Sequence, residues 1–208
     1  MRVNKKIINI YQDTFNRYGD TIAGAGWKNN YEAKLRYESM SYLFSLDNKN
    51  KTILDIGCGT SNFYKYLKKK KIKNFKYFGI DASQSMIEIS KKKFKNNIYY
   101  CLDYFESDRI KKKFDYVVAN GIFTQKAKSS DKEMFYFFKK LSKKMFKNTH
   151  KGIAFNLLKE KKEVDWVKSG NYHPNFNEVM SYVKKELSTN FIINSNYKLF
   201  EYSIYVFR

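Results

Sequence analysis

Residues 52–63 read TILDIGCGTSNF, and their grammar decides the fold. A short apolar run ends in an acid, Asp55, and turns through two glycines, Gly57 and Gly59, before a new pattern begins. A chain that leaves a strand sharply and lets a ligand approach its backbone needs residues without a Cβ there.

The same grammar recurs downstream. KTILDIG (51–57) reads as a buried strand and FYKYLKKKK (63–71) as a helix. FKYFGID (75–81) is a second strand, followed by the helical SQSMIEISKKKF (83–94), where Ser85 and Glu88 have the spacing of a capping box. IYYCLD (98–103) and FDYVVAN (114–120) continue the series. Met134, Phe138, Leu141 and Met145 mark a helix opened by Ser130 and Glu133, and KGIAFNLL (151–158) is a fifth strand. A polar stretch, 159–175, leads to a helix from Asn175 with Phe176, Val179, Met180, Val183 and Leu187 on its inner side. FIINSNYKLFEYSIYVF (191–207) reads as two antiparallel strands joined by a tight turn. Five strand–helix steps and a terminal hairpin predict an α/β sheet with helices on both faces.

Before the first strand, Ile7, Ile8, Tyr11, Phe15 and Tyr18 recur at helical spacing, and Leu35, Ser39, Tyr42 and Leu43 mark a second helix. Between them lies the glycine-rich RYGDTIAGAGWKNN (17–30), with Trp27, one of two tryptophans. The reading is one domain over 1–208, with 1–48 as a helical lid over the rim of the sheet.

Composition narrows the classes. The 208 residues carry a net charge of +21, yet only five of the 41 basic residues are arginine. Nucleic-acid readers favour the forked guanidinium, so lysine runs such as 68–71, 91–93 and 111–113 read as solvated surface, with attraction of an anionic substrate as the competing role. No apolar run exceeds five residues, and the polar N-terminus lacks a signal's apolar block, so a cytoplasmic protein without membrane contact is expected. Cys58 and Cys101 lack metal-ligand spacing and read as reduced packing residues, and no metal is expected.

In such sheets, ligands bind where loops leave the carboxyl ends of the strands. Asp55 with its glycines, Asp81, Asp103 and the pair Asn120–Gly121 all fall there. Asp81 ends the second strand, 26 positions after Asp55, where it can accept hydrogen bonds from a ribose diol. Singly, each is an ordinary turn or cap; together they constrain one another.

ILDIGCGTSNF, YFGIDASQSMIEIS, CLDYFE and FDYVVANGIFT, in this order and spacing, resemble the class I S-adenosylmethionine-dependent methyltransferases, from about residue 50 to the C-terminus. The resemblance implies a Rossmann-like, seven-stranded, mostly parallel sheet with an antiparallel last strand. It implies that Asp55 and Gly57–Cys58–Gly59 hold the methionine part of S-adenosyl-L-methionine, that Asp81 takes the ribose and Asp103 the adenine amino group. Ala82 and Met86 would pack on the adenine, and Tyr104 is a further cofactor-binding candidate. Asn120 and Gly121 would lie beneath the sulfonium, with Phe123 facing the substrate. Ser61 stands where the family often has a third glycine; serine can cap the next helix, so binding is expected to survive. Asn62 counts against a dinucleotide site, which needs glycine there.

ANGIF lacks the Asn-Pro-Pro-aromatic stretch common in nucleic-acid amino-methyltransferases, which favours a small substrate. YGDTIAGAGWKNNYEAKLRYE, ANGIFT, GIAFNLL and FEYSIYVF look like small bacterial methyltransferases of capsule and surface-polysaccharide modification, some acting on phosphoramidates. That resemblance implies O-methylation of a small anionic, nucleotide-linked acceptor. Trp27 and Arg36 fall in the lid, and Arg36 suits a carboxylate of the cofactor or a surface pair with Glu32. His173 is the candidate base, unnecessary if the acceptor oxygen is already ionised. Tyr18, Asn156, Tyr172 and Tyr197 are candidate acceptor contacts. The alternatives are an RNA-directed methyltransferase and a non-catalytic cofactor binder; oligomeric state is left open.

Overall fold

The computed structural model describes residues 2–45, 48–160 and 170–208. Two helices, α1 (Val3–Tyr18) and α2 (Asn30–Ser45), precede the sheet. The chain then runs β1 (Lys51–Ile56), α3 (Asn62–Lys69), β2 (Phe75–Asp81), α4 (Gln84–Lys93), β3 (Ile98–Cys101), β4 (Phe114–Ala119) and α5 (Asp131–Lys147). It ends with β5 (Thr149–Leu158), α6 (Phe176–Tyr182), β6 (Phe191–Asn194) and β7 (Glu201–Phe207). The seven strands lie in the order β3-β2-β1-β4-β5-β7-β6. β1 to β5 pair in parallel, and β7 runs antiparallel to both β5 and β6. The expected seven-stranded α/β sheet is present.

Both faces are covered, which explains why β1 and β4 are buried at nearly every position. Leu54, Ile56, Val117, Ala119, Ile153, Phe155 and Leu157 point to one core, filled by Met134, Phe137, Phe138, Leu141 and Met145 of α5 and Val179 and Val183 after β5. Ile53, Tyr116, Val118, Ala154 and Tyr205 point the other way, against Ala33, Tyr37, Met40, Leu43 and Phe44 of α2 and Phe63 and Leu67 of α3. The chain winds outward from β1 to β3, then returns to place β4 on the other side of β1. That reversal opens a crevice at the carboxyl ends of β1 and β4.

Several local expectations are corrected. Helices follow β1, β2, β4 and β5 only; the β3–β4 link is irregular, and α1 is tied to it instead, through Asn4 Nδ2 to Asp103 Oδ2 (2.6 Å) and Arg2 to Glu106 (2.7 Å). The β6–β7 connection spans residues 195–200, too long for a tight turn. Ser83, not Ser85, caps α4 by accepting from the Met86 N–H, and Glu88 instead accepts from Gln84. The box of Ser130 and Glu133 on α5 is present, as is the Asn175 cap. α6 widens into a π-helical turn, Val183–Leu187, and Phe176 at its start lies outward against Tyr202. On α2 the buried face centres on Ala33, Tyr37, Met40 and Phe44, while Tyr42 is exposed. Cys58 is buried, but Cys101, on the short edge strand β3, is exposed, its Sγ 3.8 Å from the Ala82 carbonyl. Ser61 does not cap α3: it adopts the left-handed conformation (φ 63°), and its hydroxyl donates to Ser90 Oγ (2.9 Å) and accepts from Tyr99 OH (3.2 Å). The residue thus takes the backbone shape that a third glycine would take.

Candidate active site

One cavity of about 1150 Å³, its open mouth included, occupies the crevice. Its floor is the set of strand ends. After β1 the chain turns through Gly57 (φ 70°) and Gly59 (φ 53°), and the Gly57 and Cys58 N–H groups are bound by the Ile80 carbonyl (2.7 and 3.0 Å). After β4 it turns at Gly121 (φ 78°). Positive φ is the region where a Cβ costs energy, so glycine is favoured at these turns.

Three carboxylates line this cavity: Asp55, Asp81 and Asp103. Asp55 Oδ2 accepts from Tyr77 OH (2.5 Å). Burial pushes the Asp55 carboxyl up to about 7, opposed by the Tyr77 hydrogen bond and reinforced by the nearby Asp81 charge. Asp81 is fixed at both oxygens, by the Gly59 N–H (2.8 Å) and the Ser83 N–H (2.9 Å). Burial raises its carboxyl too, and those backbone donors oppose the shift. Asp103 accepts from Asn4 and from the Phe105 N–H (3.0 Å). An oxygen holding one such bond keeps a lone pair for a ligand donor.

Three further buried polar atoms of lining residues, Asn4 Oδ1, Asn120 Oδ1 and Tyr104 OH, have no hydrogen-bond partner among the described residues. Buried polar groups are normally satisfied, so these mark where a ligand's own groups belong. Burial raises the Tyr104 hydroxyl well above its usual range, so it remains protonated and able to donate. The donor and acceptor set fits an adenosyl amino acid. Acceptors are needed for a ribose diol, an ammonium and an adenine amine, and flat apolar walls for the base; Ala82, Met86, Leu102 and Phe105 supply the latter. Among the described residues, no three His, Cys, Asp or Glu side chains gather as a metal site.

Of the residues singled out from sequence for the cofactor, Trp27, Asp55, Gly57, Cys58, Gly59, Asp81, Ala82, Met86, Asp103, Tyr104, Asn120 and Gly121 all lie on this one lining. Arg36 does not. It lies partly buried against Trp27, its guanidinium 4.7 Å from the ring centre, and makes the Glu32 pair (3.3 Å) together with a pair to the buried Glu201 (2.7 Å). The acceptor candidates are dispersed. Phe123 is fully buried among Phe137, Phe138 and Phe155. Tyr172 is buried, its N–H held by the Thr124 carbonyl (2.8 Å). Tyr197 packs with its hydroxyl 3.0 Å from Ser203 Oγ, and Tyr18 is half exposed at the end of α1. Asn156 lies beneath the cavity, its Oδ1 accepting from the Gly121 N–H (2.7 Å). His173 lies outside the lining, with Nδ1 2.7 Å from the Lys159 carbonyl; a carbonyl only accepts, so Nδ1 carries the proton and Nε2 is the basic nitrogen of the neutral ring.

Sequence reasoning expected a lid over the rim but named only Tyr18 of α1 as a site residue, and not the α1 residues that line the cavity. Asn4, Ile7, Ile8, Tyr11 and Gln12 of α1 face the cavity, and Tyr11 OH reaches the Gly121 carbonyl (3.3 Å). The polar Asn4, Tyr11 and Gln12 at helical spacing along an apolar stripe were the available signal.

A doubly covered sheet in this strand order, with β7 reversed and with acids and glycines at the strand ends of one cavity, defines a class I S-adenosylmethionine-dependent methyltransferase, an enzyme whose cofactor is S-adenosyl-L-methionine. The chain belongs to the family described as Methyltransferase domain, whose model matches residues 47–201. It is 26% identical over 155 residues, 74% of this chain and 92% of the relative, to the Mycobacterium tuberculosis protein named "Putative methyltransferase Rv1506c". In fold it is similar to the magnesium protoporphyrin IX methyltransferase of Synechocystis PCC 6803, solved with bound SAM (TM-score 0.65, 12% identity, 97% of each chain). It is similar also to the N-methyltransferase NodS of Bradyrhizobium japonicum WM9, solved with S-adenosylhomocysteine (TM-score 0.65, 14% identity, 96% of this chain and 98% of that one).

Proposed function

We propose that the protein methylates an oxygen of a small anionic acceptor, with residues 1–48 acting as a lid over the cofactor and acceptor. The observation that carries this reading is the roofed cavity itself: three carboxylates and three unpartnered polar atoms under a roof made by α1 and Trp27. When bound, S-adenosylmethionine supplies a methyl group already activated on a sulfonium. The protein's task is then to bind, align and exclude water. Asp81 would accept from the ribose diol and Asp103 from the adenine amine. Asp55, with the glycine turn, would hold the ammonium, and Asn120 Oδ1 would take a further donor near the sulfur.

The anionic character is supported by two observations. The net charge of +21 attracts anions to the molecule. In addition, the described lining holds no histidine or lysine to serve as a base, which suits an oxygen ionised before it arrives. Phosphoramidates on nucleotide carriers, in capsule modification, are the form favoured by the resemblance of residues 18–38 and 119–124.

The test is incubation with methyl-labelled S-adenosylmethionine against nucleotide-linked phosphoramidates, nucleotide sugars and RNA. Label is expected in a phosphoramidate. Label in RNA alone would overturn the small-molecule reading, and label in a neutral sugar hydroxyl would overturn the anionic one.

A further inference from the structure

The Asn120–Gly121 peptide at the cavity floor belongs to a closed circuit of contacts that runs through residues away from the lining. The Gly121 N–H donates to Asn156 Oδ1 (2.7 Å), and Asn156 Nδ2 donates to Glu201 Oε2 (2.5 Å). Glu201 Oε1 pairs with Arg36 Nε (2.7 Å), and the Arg36 guanidinium lies 4.7 Å from the centre of the Trp27 ring. Trp27 returns to the start: a Cβ built on Gly121 would sit 2.3 Å from Trp27 Cη2. The circuit joins the end of β4 to β5, β7, α2 and the loop before it. Asn156 and Glu201 are wholly buried.

Each link constrains the next. Asn156 can turn its carbonyl oxygen toward the Gly121 N–H only if its NH₂ faces an acceptor, and the Glu201 carboxylate is that acceptor. Glu201 is charged in a dry site only with a countercharge, which Arg36 supplies. The guanidinium's flat face then presses on the indole, whose Nε1 is fixed by Tyr37 OH (3.2 Å). Apolar residues of similar volume often replace a buried ion pair at no loss of stability. Stability alone therefore does not account for a charged pair at this place.

We propose that Arg36 and Glu201 are positioning residues: they lock the Gly121 peptide and Trp27 against each other, and so set the wall where acceptor and methyl group meet. The inference rests on reading the cavity as the cofactor site. Arg36 would then act through Trp27 and Glu201, without touching the cofactor.

Residue-resolved amide hydrogen exchange on the full chain, with S-adenosylhomocysteine titrations alongside, tests this. In the wild-type protein the Gly121 amide is expected to exchange as slowly as amides of the sheet. The double variant Arg36→Met with Glu201→Leu removes both charges together, so no buried charge is left unpaired, although the Asn156 NH₂ loses its acceptor. It is expected to fold but melt several degrees below the wild type, to exchange Gly121 about tenfold faster or more, with Gly57 unchanged, and to bind S-adenosylhomocysteine roughly threefold or more weakly. A folded double variant whose Gly121 exchange and affinity stay within about twofold of wild type overturns the proposal. If that variant does not fold, Glu201→Gln is read by the same two measurements and the same limits. If neither folds, the wild-type amide decides: slow exchange at Gly121 upholds the circuit, and loop-like exchange overturns it. Failure of the wild-type protein to bind S-adenosylhomocysteine would sink the reading of the cavity, whereas wild-type binding with an unperturbed Gly121 in the variants would sink only the positioning role.

Discussion

Replacing Gly121 by alanine tests the contact on which the cavity wall depends. Gly121 sits at φ 78°, and an added methyl would lie 2.3 Å from Trp27 Cη2 and 3.2 Å from two further ring carbons. The left-handed backbone costs a residue with a Cβ about 1–2 kcal/mol. The overlap cannot persist, and Trp27 is held by Arg36 on its face and Tyr37 at its nitrogen, so repacking adds about 1–3 kcal/mol. The sum, about 2–5 kcal/mol, corresponds in a domain of this size to a fall in Tm of roughly 5–15 °C. Thermal unfolding followed by circular dichroism reads it directly. In a Trp27→Ala background the ring is gone and only the backbone cost remains, so the same substitution should cost about 1–2 kcal/mol there. A fall smaller than about 2 °C in the wild-type background, or equal falls in the two backgrounds, would refute the packing of Trp27 on Gly121.

Two further expectations follow from the site. The Asp55 carboxyl is raised to about 7 by burial, above its unfolded value, so its contribution to stability is complete below about pH 4 and is lost as pH rises through 7. Binding of the cofactor's ammonium needs the ionised form. Affinity for S-adenosylhomocysteine should therefore rise about tenfold from pH 6 to pH 8 by calorimetry, and a flat profile would contradict the assignment of Asp55 to that ammonium. At Ser61, glycine relieves the left-handed backbone that alanine would keep, and both lose the hydroxyl's two hydrogen bonds. Denaturant unfolding should therefore find Ser61→Ala less stable than Ser61→Gly by about 1–2 kcal/mol, and equal stability would contradict the positive φ.

The cofactor half of the site was legible because it is written locally. An acid or glycine at the end of each strand is fixed in space by the strand itself, so Asp55, Asp81, Asp103 and Gly121 could be placed on one rim before any coordinates. The acceptor half was not, because its candidates were chosen by residue type, and burial decides their fate. Phe123 is apolar and joins the α5 core, and Tyr172 and Tyr197 are likewise buried by packing that no local pattern encodes. On β7, Glu201 and Ser203 alternate with Tyr202, Ile204 and Val206 and so share the opposite face of the strand. In the fold that face lies under α2, and Glu201 becomes a buried charge partnered by Arg36, 165 positions away in the chain. The irregular β3–β4 link was read through as another helix step because an alternating rhythm had been set by its neighbours. Its place is taken by α1, tied to Asp103 and Glu106 from the far end of the sequence.

A crystal structure of the full chain with S-adenosylhomocysteine measures the central claim directly. The expected result is ribose hydroxyls within hydrogen-bond distance of Asp81, the adenine amine at Asp103, and the sulfur beside Asn120 and Gly121. Ligand density away from the strand ends, or a nucleoside whose ribose and adenine meet neither Asp81 nor Asp103, would contradict it.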